Sequence, residues 1–191
     1  MKRLNKLITD VSNASRLDAE LALQETEPVD VREVLHGIAG VFRDILGEDT
    51  RRIVLEIAEQ SQYPSAYVVW GLEARLGRVI TNLIDNAISF SPENGVITVH
   101  ARRVGPEIEI VVEDDGPGIP DDDLERIFDR FYTERPAEHG FGKNSGLGLA
   151  IARQIVASHG GRIWAENRAD VQGARIGARF TVELPLARSR P

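Results

Sequence analysis

From Leu72 to Ile88 the apolar residues Leu72, Leu76, Val79, Ile80, Leu83, Ile84, Ala87 and Ile88 recur every three or four positions, the clearest helical stripe in the 191-residue sequence. Such a stripe must be buried against a second layer, and the following residues supply one. Gly95 to Arg103 and Glu107 to Glu113 read as two strands joined at Gly105-Pro106, and Arg52 to Glu59 alternates Ile53, Leu55 and Ile57 against polar neighbours as a half-buried strand does. Arg162 to Glu166 and Arg175 to Leu184 read as further strands, and Ala66 to Trp70 is a shorter apolar run. A helix through Val31, Val34, Leu35, Ile38 and Phe42 is opened by Asp30, with Glu33 at its third position, and closed by Gly47. Another helix runs from Gly146 to Ser158, and Asp121 to Phe128 reads as a short one. Helices and strands both occur along the chain, which is read as α+β.

Composition removes whole classes of chemistry. The sequence has no cysteine, which excludes disulfides, thiolate metal sites and thiol nucleophiles. A net charge of −7 argues against the broad basic footprint that nucleic acid requires. No apolar run approaches the roughly 18 residues of a membrane span, so the chain as given is expected to be soluble and compatible with the cytoplasm. Upstream, Leu4, Leu7, Ile8, Val11, Ala14, Leu17 and Leu21 mark a near-heptad helix with little of its own chain to pack on, which implies a partner helix, the plain alternative being a terminal helix folded back on the domain. Gln24 to Asp30, with Pro28, reads as a linker into the globular unit.

Three places could carry chemistry. Asn82 and Asn86 lie one helical turn apart on one face, where amide oxygens suit a hard cation such as magnesium, although paired asparagines are also ordinary on a solvated face. Asp114-Asp115-Gly116-Pro117-Gly118 leaves a strand; its glycines let backbone approach a flat ligand, and a buried carboxylate there could accept from an exocyclic amine such as adenine's. The plain alternative is a strand-to-helix turn. Ser145-Gly146-Leu147-Gly148-Leu149 opens a helix, where free N–H groups and the dipole suit phosphate, or where glycine serves only the turn. It is neither a Walker loop nor a Rossmann fingerprint.

In their order and spacing these elements resemble the catalytic and ATP-binding domain of sensor histidine kinases, members of the Bergerat-fold ATPases. The resemblance runs from Leu76 to Leu184 through an N box (RVITNLIDNAISFSP), a G1 box (VEDDGPGIP), an F box (IFDRFYTERP) and a G2 box (NSGLGLAIARQIVASHGGRIWAEN). It implies a two-layer α/β sandwich, a mixed sheet covered by helices on one face, over residues 28–191. Residues 1–27 resemble the second helix of the dimerisation and phosphoacceptor stalk.

The resemblance also implies roles. Asn86 looks like the magnesium ligand, with Asn82 near the reacting end; Asp114 looks like the adenine-reading carboxylate, and Gly116, Gly118 and Ile119 like the wall of the base pocket. Phe128 and Phe131 look like packing residues that set a lid spanning Thr133 to Ser145, and Arg130 and Tyr132 like nucleotide-facing residues, with Asn82 and Arg130 closest to the chemistry. Lys143 and Ser145 would reach ATP from the lid, and the backbone of Gly146, Leu147, Gly148 and Leu149 would hold its phosphates. ATP and Mg2+ are the implied cofactors. The implied partners are the phosphoacceptor helix of the full-length kinase, a second copy and a response regulator, with the parent protein in the inner membrane and this domain in the cytoplasm.

Some positions depart from the family. Ser89 and Phe90 stand where a lysine or histidine and a tyrosine are usual, Phe90 still lining the nucleotide; Asn144 replaces a common glycine, and Ala178 a threonine. None of His36, His100, His139 and His159 has the context of a phosphoacceptor histidine, so no phosphoacceptor is assigned within the chain. The alternatives are a catalytically inactive ATP-gated docking module, an anti-sigma-type Ser/Thr kinase, and a hydrolysing Bergerat ATPase. The last places a water-activating glutamate where Asn82 stands, and an amide cannot accept that proton.

Overall fold

A computed structural model describes residues 26–47, 49–58, 67–132 and 146–187. The stalk-like helix expected over residues 4–23 and the lid expected over 133–145, with Lys143, Asn144, Ser145 and His139, lie outside the described residues.

Twelve segments follow one another in the described chain: β1 (Glu27–Asp30), α1 (Val31–Leu46), β2 (Arg52–Ile57), β3 (Val68–Gly71), α2 (Glu73–Phe90), β4 (Val96–Val104), β5 (Glu107–Glu113), 3-10 turns at Asp121–Asp123 and Arg126–Phe128, α3 (Gly148–Ser158), β6 (Arg162–Ala169) and β7 (Arg175–Pro185). Five strands form one mixed sheet in the order β2-β4-β5-β7-β6; β2 runs parallel to β4 and every other pair is antiparallel. Ile97, Val99 and Ala101 on β4, Ile108, Ile110 and Val112 on β5, and Phe180, Val182 and Leu184 on β7 alternate onto a single buried face. The helices pack on that face, α2 against β4 and β5, α3 against β6 and β7, and α1 against β2.

The other face of the sheet carries charge in rows set by the register. Arg102 pairs with Glu109, Arg162 with Glu183 and Arg179 with Glu113, while His100 lies between Glu56 and Glu113. Period-two alternation thus gives one greasy face and one ionic face from the same strands.

Three expectations from the sequence are corrected. The stretch around Pro28 is not a linker to its end: Glu27–Asp30 pairs antiparallel with β3, and Pro28 is tolerated because this two-stranded ribbon has no third strand needing its missing N–H. Asp121 to Phe128 is not one helix but two 3-10 turns, a compact form for a run too short to propagate α-helix. The helix expected from Gly146 begins at Gly148.

Local chemistry sets the helix ends. Asp30 accepts from the Arg32 backbone N–H at 2.9 Å and pairs with its guanidinium, whereas Glu33 is exposed and leaves the expected capping box half made. The Arg32 guanidinium hydrogen-bonded to Asp30 holds that carboxyl below its ordinary range, against the opposing effect of burial. Asp30→Ala should therefore cost about 1 kcal/mol at neutral pH. Because the folded-state pKa is lowered, the stabilisation is present above the ordinary aspartate range and fades as pH falls through the lowered value. Urea melts of parent and variant at pH 7 and pH 3 check this: the gap should narrow in acid.

α2 is anchored by Leu76, Val79, Ile80, Leu83, Ile84 and Ala87, all buried. Each large residue among them contributes about 1.5–3 kcal/mol by leaving water, so the opposite face is free to carry amides and charges. Ser91 stops the helix, its backbone N–H and hydroxyl both donating to the Ala87 carbonyl before Pro92.

Candidate functional site

The chemistry-bearing residues converge where α2, the end of β5 and the start of α3 meet. On α2, Asn82 donates through Nδ2 to the Gly148 carbonyl at 2.9 Å, joining the expected cation face directly to the expected phosphate turn. Its Oδ1 is left as an acceptor. Asn86, one turn on, is half-buried and makes no side-chain hydrogen bond among the described residues.

The α3 start has the form an anion needs. Among the described residues no side chain caps it, and its first intrahelical backbone bond runs from the Ile151 N–H to the Leu147 carbonyl. Leu147 is buried beneath it, while Gly146, Gly148 and Leu149 are half-exposed. Gly146 holds φ +70, and a Cβ on it would come within 2.6 Å of the Tyr132 carbonyl oxygen. Only glycine fits both the dihedral and the space.

Asp114 is 2% exposed. Its Oδ1 accepts from Gly116 N–H at 2.8 Å and Ala178 N–H at 3.2 Å, and its own N–H donates to the Ala178 carbonyl at 3.0 Å. Burial pushes the carboxyl up, with the two backbone donors and the Arg168 charge opposing and the Asp115 charge adding. One oxygen is thus committed to backbone, and among the described residues nothing donates to Oδ2. Gly116 is hemmed in: a Cβ would lie 2.8 Å from Asp114 Oδ1 and 3.0 Å from the Phe90 carbonyl oxygen, which brings the end of α2 against the turn.

The rest of the turn is braced by residues with no role in the sequence reading. Asn167 on β6 donates to the Ile119 carbonyl and accepts from the Ile119 N–H, both at 2.7 Å, and donates to Asp121 at 3.0 Å. Arg168 reaches the Asp114 carbonyl at 2.6 Å and Asp115 at 2.9 Å, and Arg175 reaches Asp121 at 3.0 Å. Gly118 takes φ +76 beneath Arg175 and Asn167, whose side chains occupy the place of any Cβ. Asn167 closes the stretch quoted for the G2 box, but its contacts span 48 residues and no local pattern signals them.

Phe128 is buried edge-on against Phe180, with centroids 6.4 Å apart and Arg153 over its face. Phe131 is different: it is 58% exposed at φ +68, so it is not the packing residue expected. Its backbone N–H is instead tied to the Gly146 carbonyl at 2.9 Å, which joins the two ends of the 133–145 segment. A bulky residue in that dihedral region is strained, and the tie to Gly146 is what holds it there. Arg130 is exposed, and Tyr132 is half-buried under Arg126, 5.2 Å from its ring centroid.

Of the four histidines, His36 is exposed, His100 belongs to the ionic face, and His159 is fastened by Nδ1 to the Ile155 carbonyl at 2.7 Å. No helix among the described residues is long and apolar enough to cross a membrane.

Residues 71–188 match the profile of the histidine kinase-, DNA gyrase B- and HSP90-like ATPases. The chain belongs to that family. This region is accordingly an ATP-binding domain of the histidine kinase-like ATPases, and its fold and motif order agree with the likeness read from the sequence. The sensor protein ChvG of Agrobacterium fabrum is 47% identical over 189 residues, covering 98% of this chain and 32% of that protein. The chain therefore spans about a third of that relative's length. Full-length ShkA, solved in complex with AMPPNP, superposes with a TM-score of 0.79 at 27% identity over 99% of this chain and 37% of that one. Histidine kinase ThkA, solved in complex with the response regulator protein TrrA, gives 0.73 at 26% identity over 97% of this chain and 49% of that one.

Proposed function

We propose that this chain is the catalytic portion of a sensor histidine kinase, which moves the γ-phosphoryl of ATP onto a histidine of a stalk helix outside this sequence. In this reading residues 1–27 belong to that stalk and 28–191 to the catalytic domain. The phosphoryl group then passes to an aspartate of a response regulator, and the full-length protein works as a membrane-anchored homodimer with this domain in the cytoplasm.

Asn82 is the observation that carries a kinase reading over a hydrolase one. A hydrolysing relative needs a carboxylate near the γ-phosphate to take a proton from water; here an amide stands there, already donating to Gly148. At that position the amide of Asn82 can help position a phosphoryl group but cannot take a proton from water.

The same reading gives each residue a role that the geometry supports. Asp114 Oδ2 accepts from the adenine amine, while Oδ1 keeps the carboxylate fixed against Gly116 and Ala178. Gly116, Gly118, Ile119 and Phe90 wall the base. The start of α3, Gly146 to Leu149, receives the phosphates, with Arg130 and Tyr132 of the F box as nucleotide-facing residues; Lys143 and Ser145, outside the described residues, are assigned to ATP by the same reading. Asn86, with Asn82 beside it, offers neutral oxygens suited to Mg2+, which takes few protein ligands and keeps waters and phosphate oxygens for the rest. Bound there, the ion would neutralise phosphate charge during transfer.

A direct test mixes the chain with labelled ATP and the separately prepared phosphoacceptor hairpin of the Agrobacterium fabrum relative. The expected product is acid-labile, base-stable label on the hairpin histidine. Tight nucleotide binding without any transfer, to this or a self-derived hairpin, would overturn the kinase reading and leave an ATP-gated docking module.

A further inference from the structure

The end of β5 is gripped from the ionic face of the sheet by one side chain. Arg168 Nη1 donates both to the Asp114 carbonyl, at 2.6 Å, and to Asp115 Oδ1, at 2.9 Å, and its Nε lies 3.7 Å from Glu113 Oε2. Three consecutive residues are thereby held by one guanidinium. Asp115 is fixed a second time, by the Val96 N–H at 2.8 Å, and Glu113 by Arg179 at 2.6 Å, with His100 at 3.6 Å.

The approach exists because of a notch. Arg168 pairs with Gly177 across β6 and β7, and a Cβ on Gly177 would overlap the Asp114 carbonyl oxygen and stand 3.2 Å from Arg168 Nη1. Without that side chain the Asp114 peptide sinks into β7, its N–H on the Ala178 carbonyl, and the carbonyl reaches the guanidinium. Both peptide groups of Asp114 are therefore fixed, and with them the direction in which its carboxylate leaves the chain.

We propose that Arg168, acting through the Gly177 notch, is a positioning residue that sets base selectivity by aiming the Asp114 carboxylate at an amine donor. Arg168 does not touch the nucleotide. The inference rests on the reading of Asp114 as the base-reading group, and adds what orients it. A carboxylate held in place accepts from the 6-amino group of adenine and repels the 6-oxo group of guanine; a carboxylate free to turn loses much of that discrimination, because selectivity of this kind comes from leaving a fixed buried group unpaired with the wrong base.

The test measures dissociation constants for Mg-ATP and Mg-GTP on the full chain, for the parent, Arg168→Met, Arg168→Lys and Asp114→Asn. For Arg168→Met the preference for ATP over GTP should fall about tenfold, mostly through weaker ATP binding. Arg168→Lys, whose single ammonium cannot reproduce the planar fork, should fall part of the way. A merely structural role would weaken both nucleotides together and leave the ratio unchanged, and that result overturns the proposal. If Arg168→Met does not fold, Arg168→Lys decides: parental selectivity in that variant, with no shift in ratio, also overturns it. An unchanged ratio in Asp114→Asn would instead remove the reading of Asp114 on which the inference rests.

Discussion

Asp114→Asn should weaken ATP binding about 10- to 100-fold while the protein stays folded. A hydrogen bond to a charged group contributes about 1.5–3 kcal/mol, and the asparagine replaces the carboxylate oxygen facing the base by an NH2 that meets the adenine amine donor to donor. The internal bonds survive, since an amide oxygen can still accept from Gly116 and Ala178 in place of Oδ1. The pH dependence separates this from general damage. Burial raises the Asp114 carboxyl above its ordinary range, so its contribution to stability is complete below that range and is lost as pH rises through the raised value. Asparagine does not ionise and escapes that loss. The nucleotide-free variant should therefore melt no lower than the parent at neutral pH, with the comparison shifting against it in acid. Calorimetry with ATP and thermal melts at pH 5 and 8 measure both; unchanged affinity would take Asp114 out of the pocket.

Asn86→Ala should act on a different quantity. If Asn86 holds magnesium as proposed, its loss should cost about 100-fold in rate, by analogy with the loss of one transition-state donor, while affinity falls less. Asn86 is half-buried and its side chain makes no hydrogen bond among the described residues, so its truncation removes little from the fold. The informative measurement is a magnesium titration of ATP affinity and of label transfer to the hairpin. The parent should respond to the ion and the variant should be nearly flat. A parent that binds ATP equally with and without magnesium would contradict the role given to Asn86.

Most of the architecture was legible because it is written in periodicity. The 3.6-residue stripe of α2 names Leu76, Val79, Ile80, Leu83, Ile84 and Ala87, all enclosed by the fold, with Leu72 and Ile88 half-buried at its ends, and β4, β5 and β7 lie where the strand ranges put them. The readings that failed are short segments whose conformation depends on a distant neighbour. Glu27–Asp30 is a strand only because β3 lies beside it, and Pro28 hides that from any local pattern. Phe131 has the composition of a core residue, yet its exposure follows from a backbone bond to Gly146, fifteen residues on.

The site divides in the same way. Asn82, Asn86, Asp114 and the glycines occur in recognisable local settings, whereas Asn167, Arg168 and Arg175 act across roughly fifty residues through the register of β6 and β7. Isolated polar side chains on strands look like any solvated face, so nothing in their spacing marks them. What identifies them is the pairing of strands, which a linear reading does not contain.

The Gly177 notch bears on how such a domain can be altered. The turn from Asp114 to Ile119, proposed to wall the base, does not shape itself; it is held by a hairpin more than forty residues downstream, entered through one missing methyl group. Grafting Asp114 to Ile119 into another sheet would carry over the letters of the motif without the lattice that bends them into shape. The smallest transferable unit is therefore the turn together with β6 and β7.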